Sequence, residues 1–145
     1  MNRWIAKYMA AEIFIDTSGF YALLVRGDDQ YGHAQDTMRK AAEKKLRFVT
    51  TEYVLDETAT LLMARGCSTV IPVLFHSVSA SKACRVIWMD TGRFEKTKSL
   101  FNKNIANRWS FTDCFSFVVM KELRLREALS RDARFRSAGF TALLA

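Results

Sequence analysis

Glu12-Ile13-Phe14-Ile15-Asp16-Thr17-Ser18 is a short apolar run that stops abruptly on a carboxylate. Its β-branched and aromatic residues predict a buried strand. Two hydroxyl residues and a helical pattern follow at once, so the strand feeds straight into a helix. In an open parallel sheet, ligands bind just beyond the carboxyl ends of the strands, which puts Asp16 on a crevice. An aspartate there also suits a helix N-cap, and from this stretch alone both roles stand.

Working outward, the same alternation recurs. Further strands are predicted over Leu46–Thr50, Cys84–Met89, Arg126–Ser130 and Gly139–Leu143. Helical patterns cover Gly19–Val25, a stretch through Ala34, Met38, Ala41 and Ala42, and Thr51 to the stop signal at Gly66. They continue over Ser68–Ser81 with Pro72 in the first turn, then over Arg93–Asn104, Phe111–Leu123 and Asp132–Ser137. Phe111–Leu123 is apolar almost all round and is expected to be buried on most sides. Strands alternating with helices predict an α/β fold with a parallel sheet. With no linker, repeat or low-complexity segment, residues 1–145 read as one domain. Residues 1–10 read as a short extension, with Met9 a natural start.

Twenty-two Lys and Arg against fifteen Asp and Glu give a net charge of +7. This favours a polyanion, nucleic acid before an anionic membrane surface, although a basic protein merely kept soluble by its charge fits as well. Cys67, Cys84 and Cys114 form no Cys-x-x-Cys pair, and His33 and His76 stand far apart. A structural zinc site is not expected, and the cysteines read as small core residues in a reducing compartment. No apolar run approaches the ~20 residues of a membrane span. The expectation is a cytoplasmic protein with no membrane association.

Four acids stand in awkward places. Glu57 lies three residues after Val54 and four before Leu61, on the inward side of its predicted helix, with Asp56 as the solvated neighbour. A buried carboxylate needs a cation, a bundle of donors or an arginine partner. Asp113 begins the most apolar helix, and Ser110-Phe111-Thr112-Asp113 also matches a capping box. Asp132 follows the fourth strand and fits either a cap or a site. Asp90 has the same strand-then-acid pattern and reads as a decoy. Asp16, Glu57, Asp113 and Asp132 can meet at the carboxyl edge of the sheet. Converging carboxylates repel, and an oxygen-preferring divalent ion such as Mg²⁺ or Mn²⁺ resolves the repulsion. Acids plus such a metal in a basic protein point to phosphodiester cleavage.

Taken together, Phe14-Ile15-Asp16-Thr17-Ser18, Thr50-Thr51-Glu52-Tyr53-Val54-Leu55-Asp56-Glu57-Thr58, Trp109-Ser110-Phe111-Thr112-Asp113-Cys114 and Ala128-Leu129-Ser130-Arg131-Asp132 with Phe135 and Gly139-Phe140 resemble the motifs of PIN-domain ribonucleases. The likeness is to VapC-type toxins of toxin–antitoxin pairs and runs from about Ala11 to Leu143. It implies a three-layer α/β/α fold with a five-stranded parallel sheet in the order 3-2-1-4-5. It places Asp16, Glu57, Asp113 and Asp132 in a catalytic Mg²⁺ or Mn²⁺ site, with Ser110 or Thr112 as an auxiliary. Thr17 is a further auxiliary candidate. The implied activity is endoribonuclease cleavage of RNA, the implied partners an antitoxin protein and a second copy in a homodimer, joined through the helices after the first strand. The implied order also puts Asp90 on an edge strand, away from the site. Arg131 departs from the family pattern, where an apolar residue is usual; it is expected to bind a phosphate or to pair with Asp132. Arg131, Arg134 and Arg136 are the candidate RNA phosphate ligands.

Two other readings were weighed. A signal receiver would need an acid pair after the first strand and a lysine late in the sheet, which this chain lacks. A PIN-like module that binds RNA or a partner without cutting it would keep the fold but not the metal chemistry.

Overall fold

The computed structural model describes residues 12–145, so the expected N-terminal extension and the start at Met9 lie outside the described residues. β1 (Glu12–Ile15) is the middle of a five-stranded sheet in the order β3-β2-β1-β4-β5. Its companions are β2 (Arg47–Thr51), β3 (Cys84–Ile87), β4 (Glu127–Leu129) and β5 (Thr141–Ala142), and every pairing is parallel. In register, Phe14 stands between Val49 and Ala128, and all three are fully buried. A parallel sheet covered on both faces demands such unbroken apolar runs, not alternation. The phenyl ring of Phe14 packs 6.3 Å from that of Phe135.

The helices are α1 (Thr17–Leu24), α2 (Tyr31–Glu43), α3 (Glu52–Ala64), α4 (Ile71–Ala80), α5 (Thr91–Lys103), α6 (Phe111–Glu122) and α7 (Ala133–Ser137). The chain steps from β1 outward to β3, then returns past β1 to β4 and β5. Right-handed crossovers in the two directions put helices on both faces, giving three layers. The point where the direction reverses lies between β1 and β4, where such sheets open a crevice.

Several boundaries differ from the sequence reading, each for a local reason. The expected helix over Ser68–Ser81 is split into a 3-10 turn (Ser68–Val70) and α4, because Pro72 can occupy only the first turn of an α-helix. α5 starts at Thr91, two residues early, since Asp90 Oδ1 accepts from the Arg93 backbone N–H at 2.8 Å and caps it. β5 shrinks to Thr141–Ala142 because Gly139, at φ +97°, still belongs to the turn after α7. α6 is buried over most of its surface, as its composition requires.

One glycine fixes how α1 meets the sheet. A Cβ on Gly19 would lie 2.1 Å from the Leu129 carbonyl oxygen, so the helix backbone rests directly on β4. That contact brings the start of α1 against the end of β4.

Candidate active site

Ile15 pairs with Leu129, so Asp16 and Ser130 emerge side by side from β1 and β4. Asp16 occupies the N-cap position of α1 but makes no side-chain capping bond. Instead its Oδ2 accepts from Ser130 Oγ at 3.0 Å and from Ser18 Oγ at 3.4 Å. Asp16 is only 5% exposed. Burial, helped by the nearby charges of Asp113 and Glu57, pushes its carboxyl up to about 7, against the pull of the Thr17 N–H and the Ser130 hydroxyl. Asp16 thus stands at an N-cap position without a capping bond and faces a crevice at the sheet's switch point.

Glu57 enters from α3. The buried stripe of that helix is Val54, Leu55, Thr58 and Leu62. Glu57 sits about 60° round the helix from Val54. It is therefore not on the core side, as the spacing had suggested, but exposed at the crevice margin. No arginine partner is needed there: Thr17 Oγ1 donates to Glu57 Oε1 at 2.6 Å, linking α1 to α3.

Asp113 and Asp132 do cap helices, and they also face the crevice. Ser110 and Asp113 form the full capping box: the Ser110 N–H donates to Asp113 Oδ2 at 2.9 Å and the Asp113 N–H to Ser110 Oγ at 3.0 Å. Asp113 is 6% exposed, and burial raises its carboxyl above the ordinary range despite those bonds and the Arg134 guanidinium. Asp132 accepts from the Arg134 backbone N–H at 2.9 Å. Arg134 then reaches back, Nη1 lying 3.1 Å from Asp132 Oδ2 and Nε 3.9 Å from Asp113 Oδ2.

Asp16, Glu57, Asp113 and Asp132 thus line one crevice of about 520 Å³, together with Thr17, Ser110, Arg131 and Arg134. Thr112 and Arg136 are not among its described lining residues. The expected alternatives for Arg131 also resolve differently. It pairs across the crevice mouth with Asp29 at 2.8 Å and Asp28 at 3.6 Å, while Arg134 takes Asp132. Asp90, on the edge strand side, is exposed and paired with Arg93 at 3.0 Å.

The sequence reading missed Ser130, Ser18, Tyr21 and Arg65. Fully buried Ser130 also accepts from the Asp132 N–H at 3.0 Å, and Ser18 accepts from the Arg131 N–H at 3.0 Å. The signal for Ser130 was available: a small hydroxyl residue ending a strand two positions before an acid. Arg65 stacks over the Tyr21 ring at 5.0 Å on the far wall, a pairing no local pattern announces.

The donors are carboxylate and hydroxyl oxygens, which suit a hard divalent ion. As the side chains stand, no three acidic, imidazole or thiol groups among the described residues are close enough to enclose one, and the local cation is Arg134. Burial, the chief cause of the raised carboxyls of Asp16 and Asp113, makes their ionised forms costly there without a cation. A bound cation would offset that cost.

The chain is thus an α/β domain with an acid-lined crevice at the reversal point of its parallel sheet. A family model described as the PIN domain matches residues 13–141. The 23S rRNA-specific endonuclease VapC20 of Mycobacterium tuberculosis is 33% identical over 128 residues, spanning 88% of this chain and 95% of that protein. The crystal structure of M. tuberculosis VapC20, a Sarcin-Ricin loop cleaving toxin, aligns with a TM-score of 0.79 at 30% identity, over 89% of this chain and 96% of that one. The chain belongs to the PIN-domain family. It is an endoribonuclease, a hydrolase of the VapC toxin type, and nucleases of this family are generally dependent on divalent metal.

Proposed function

We propose that Asp16, Glu57, Asp113 and Asp132 hold Mg²⁺ or Mn²⁺ and that the crevice they line cuts an RNA phosphodiester bond. The observation that carries this is the arrival of four acids, from four separate elements, in one crevice of about 520 Å³. The metal, when bound, activates water and offsets the charge that develops on the phosphate. The chain's own residues prepare the place. Ser130 and Ser18 hold Asp16, Thr17 holds Glu57, and the Ser110 box fixes Asp113. Arg134 is half-exposed, and a cation among the acids frees its guanidinium to meet a substrate phosphate. Arg131, already engaged by Asp28 and Asp29, is the weaker phosphate ligand, and Arg136 lies outside the crevice.

The match to an rRNA-cutting relative makes a loop of 23S rRNA the first substrate to test. An antitoxin and a homodimer remain the proposed partners. Exposed Val73 and Phe75 on α4, with Trp88 and Phe94 around the start of α5, offer the uncovered apolar surface. No helix among the described residues is long and apolar enough to cross a membrane. The proposed place of action is the cytoplasm, where an RNA substrate is found.

The test is incubation with a synthetic 23S rRNA stem-loop and single-stranded controls, in Mg²⁺, Mn²⁺ or excess chelator. Cleavage with the metals, leaving 5′-phosphate and 3′-hydroxyl ends, is expected. Cleavage undiminished by chelator would overturn the metal site.

A further inference from the structure

A second cavity, of about 580 Å³, opens between α5, α6 and the chain that follows α7. Its aromatic lining is half-buried Trp109 and Phe140, both resting on the buried ring of Phe117, edge-on at 5.1 Å and stacked at 5.7 Å respectively. Its rim carries Lys96, Lys103 and Lys121, all exposed, and none is in an ion pair among the described residues. The rim's one acid, Glu95, is answered by Lys98 at 2.8 Å. The cavity has therefore a net positive edge and an apolar, partly aromatic lining.

Its position follows from the elements that build the active-site crevice. Asp113, Phe117 and Lys121 fall at i, i+4 and i+8, one row along α6. Asp113 faces the crevice, while Phe117 and Lys121 line the second cavity. Trp109 is the residue before Ser110, and Phe140 follows the helix that Asp132 caps. Both cavities thus draw lining residues from α6, Asp113 for the crevice and Phe117 with Lys121 for the second cavity.

We propose that this groove is a second RNA subsite, in which a nucleotide flanking the cut bond lays its base against the half-buried rings of Trp109 and Phe140, which Phe117 supports from beneath, and its neighbouring phosphates on the three lysines. The inference rests on the ribonuclease reading and extends it. Aromatic platforms beside cations are the usual means of holding single-stranded RNA, because every base presents a stacking face. An acidic amphipathic protein segment could also meet an apolar floor with a basic rim. Three rim lysines without an acid partner among the described residues, one of them on the helix that carries Asp113, favour the polyanionic substrate.

The experiment measures binding of labelled single-stranded RNA oligonucleotides of increasing length, across a salt series, to the full chain carrying Asp16→Asn to suppress cleavage. In that background, Lys96→Gln/Lys103→Gln/Lys121→Gln should flatten the log–log salt slope by about 2, at ~0.7 per phosphate contact on a single strand. The gain in affinity with oligonucleotide length should shrink with it. Trp109→Leu should weaken binding about tenfold or more, and Trp109→Phe, which keeps a ring, should retain most of it. Melting temperatures of the lysine variant, altered only at exposed positions, check the fold. An unchanged salt slope and length dependence, while the unaltered protein still cuts RNA, would overturn the groove and leave the ribonuclease reading standing. If no RNA is bound or cut by any version, both fall. Intact RNA binding in the lysine variant with loss of an acidic amphipathic peptide would assign the groove to a protein and likewise overturn the proposal.

Discussion

Ser130 Oγ donates to Asp16 Oδ2 at 3.0 Å and so ties together the ends of the two central strands, β1 and β4. The same oxygen accepts from the Asp132 N–H at 3.0 Å, so one buried hydroxyl orients two of the four acids. Ser130→Ala strips both of a partner. Leaving buried polar groups unpaired costs about 1–3 kcal/mol, and loss of a supporting hydrogen bond typically lowers metal affinity about 10- to 100-fold. Thermal melts and Mg²⁺ titration calorimetry check both effects. Unchanged metal affinity would show that Asp16 needs no such support.

The raised carboxyl of Asp16 has a direction in pH. Its folded value, about 7, lies above the ordinary 3.8, so between these limits the folded chain holds a proton that the unfolded chain has released. Without metal, stability should therefore fall as pH rises from about 4 to about 7. Asp113, raised chiefly by burial, adds in the same sense. At 1.36 kcal/mol per unit, Asp16 sets a ceiling of about 4 kcal/mol on its own share. Chemical denaturation across this range, repeated with Asp16→Asn, should show a smaller slope in the variant. Equal slopes would place the proton elsewhere.

Arg134 stands where positive charge is wanted, against Asp113 and Asp132. Arg134→Ala should lower metal-free stability by no more than about 1 kcal/mol, because the guanidinium is half-exposed. It should also enlarge the melting shift produced by Mg²⁺, since a competing cation has gone. A smaller shift than in the unaltered protein would mean that Arg134 supports the metal and does not compete with it.

Gly19 tests the packing that aligns the site. A Cβ there meets the Leu129 carbonyl oxygen at 2.1 Å, a backbone atom that cannot move aside cheaply. Gly19→Ala should destabilise by about 1–3 kcal/mol, the usual cost of overpacking. Gly32→Ala, where nothing lies within 4 Å, should be neutral or mildly stabilising. Denaturant midpoints of the two variants make the comparison.

Much of this architecture is legible in the chain because its central strand is an apolar run that ends on an acid and its helices carry ordinary stop and start signals. Gly66 and Pro72 punctuate as expected, and Ser110 with Asp113 forms the box its spacing announces. What local pattern does not convey is which way a side chain at a helix margin turns. Glu57 reads as inward from its neighbours, yet the packing of α1 on α3 leaves it on the crevice edge, held by Thr17. Charge pairing is equally non-local. Arg131 adjoins Asp132 in sequence but crosses to Asp28 and Asp29, residues brought near only by the fold. Arg65 became visible through helix packing alone, whereas Ser130 carried a local signal whose meaning only the β1–β4 register discloses.

The sharpest discrimination comes from melting the unaltered protein, Asp16→Asn and Asp113→Asn, each with chelator and with Mg²⁺, beside an RNA cleavage assay. Asn can replace Asp as a helix cap at little cost, so capping alone would leave stability and cleavage nearly intact. If the four acids hold a metal, each substitution should leave the chelator melt unchanged or raised, because one repelling charge has gone. Mg²⁺ should then stabilise the unaltered protein by mass action and the variants less, with cleavage falling by orders of magnitude. Equal Mg²⁺ shifts in all three proteins, with cleavage retained, would place the metal and the chemistry outside this crevice.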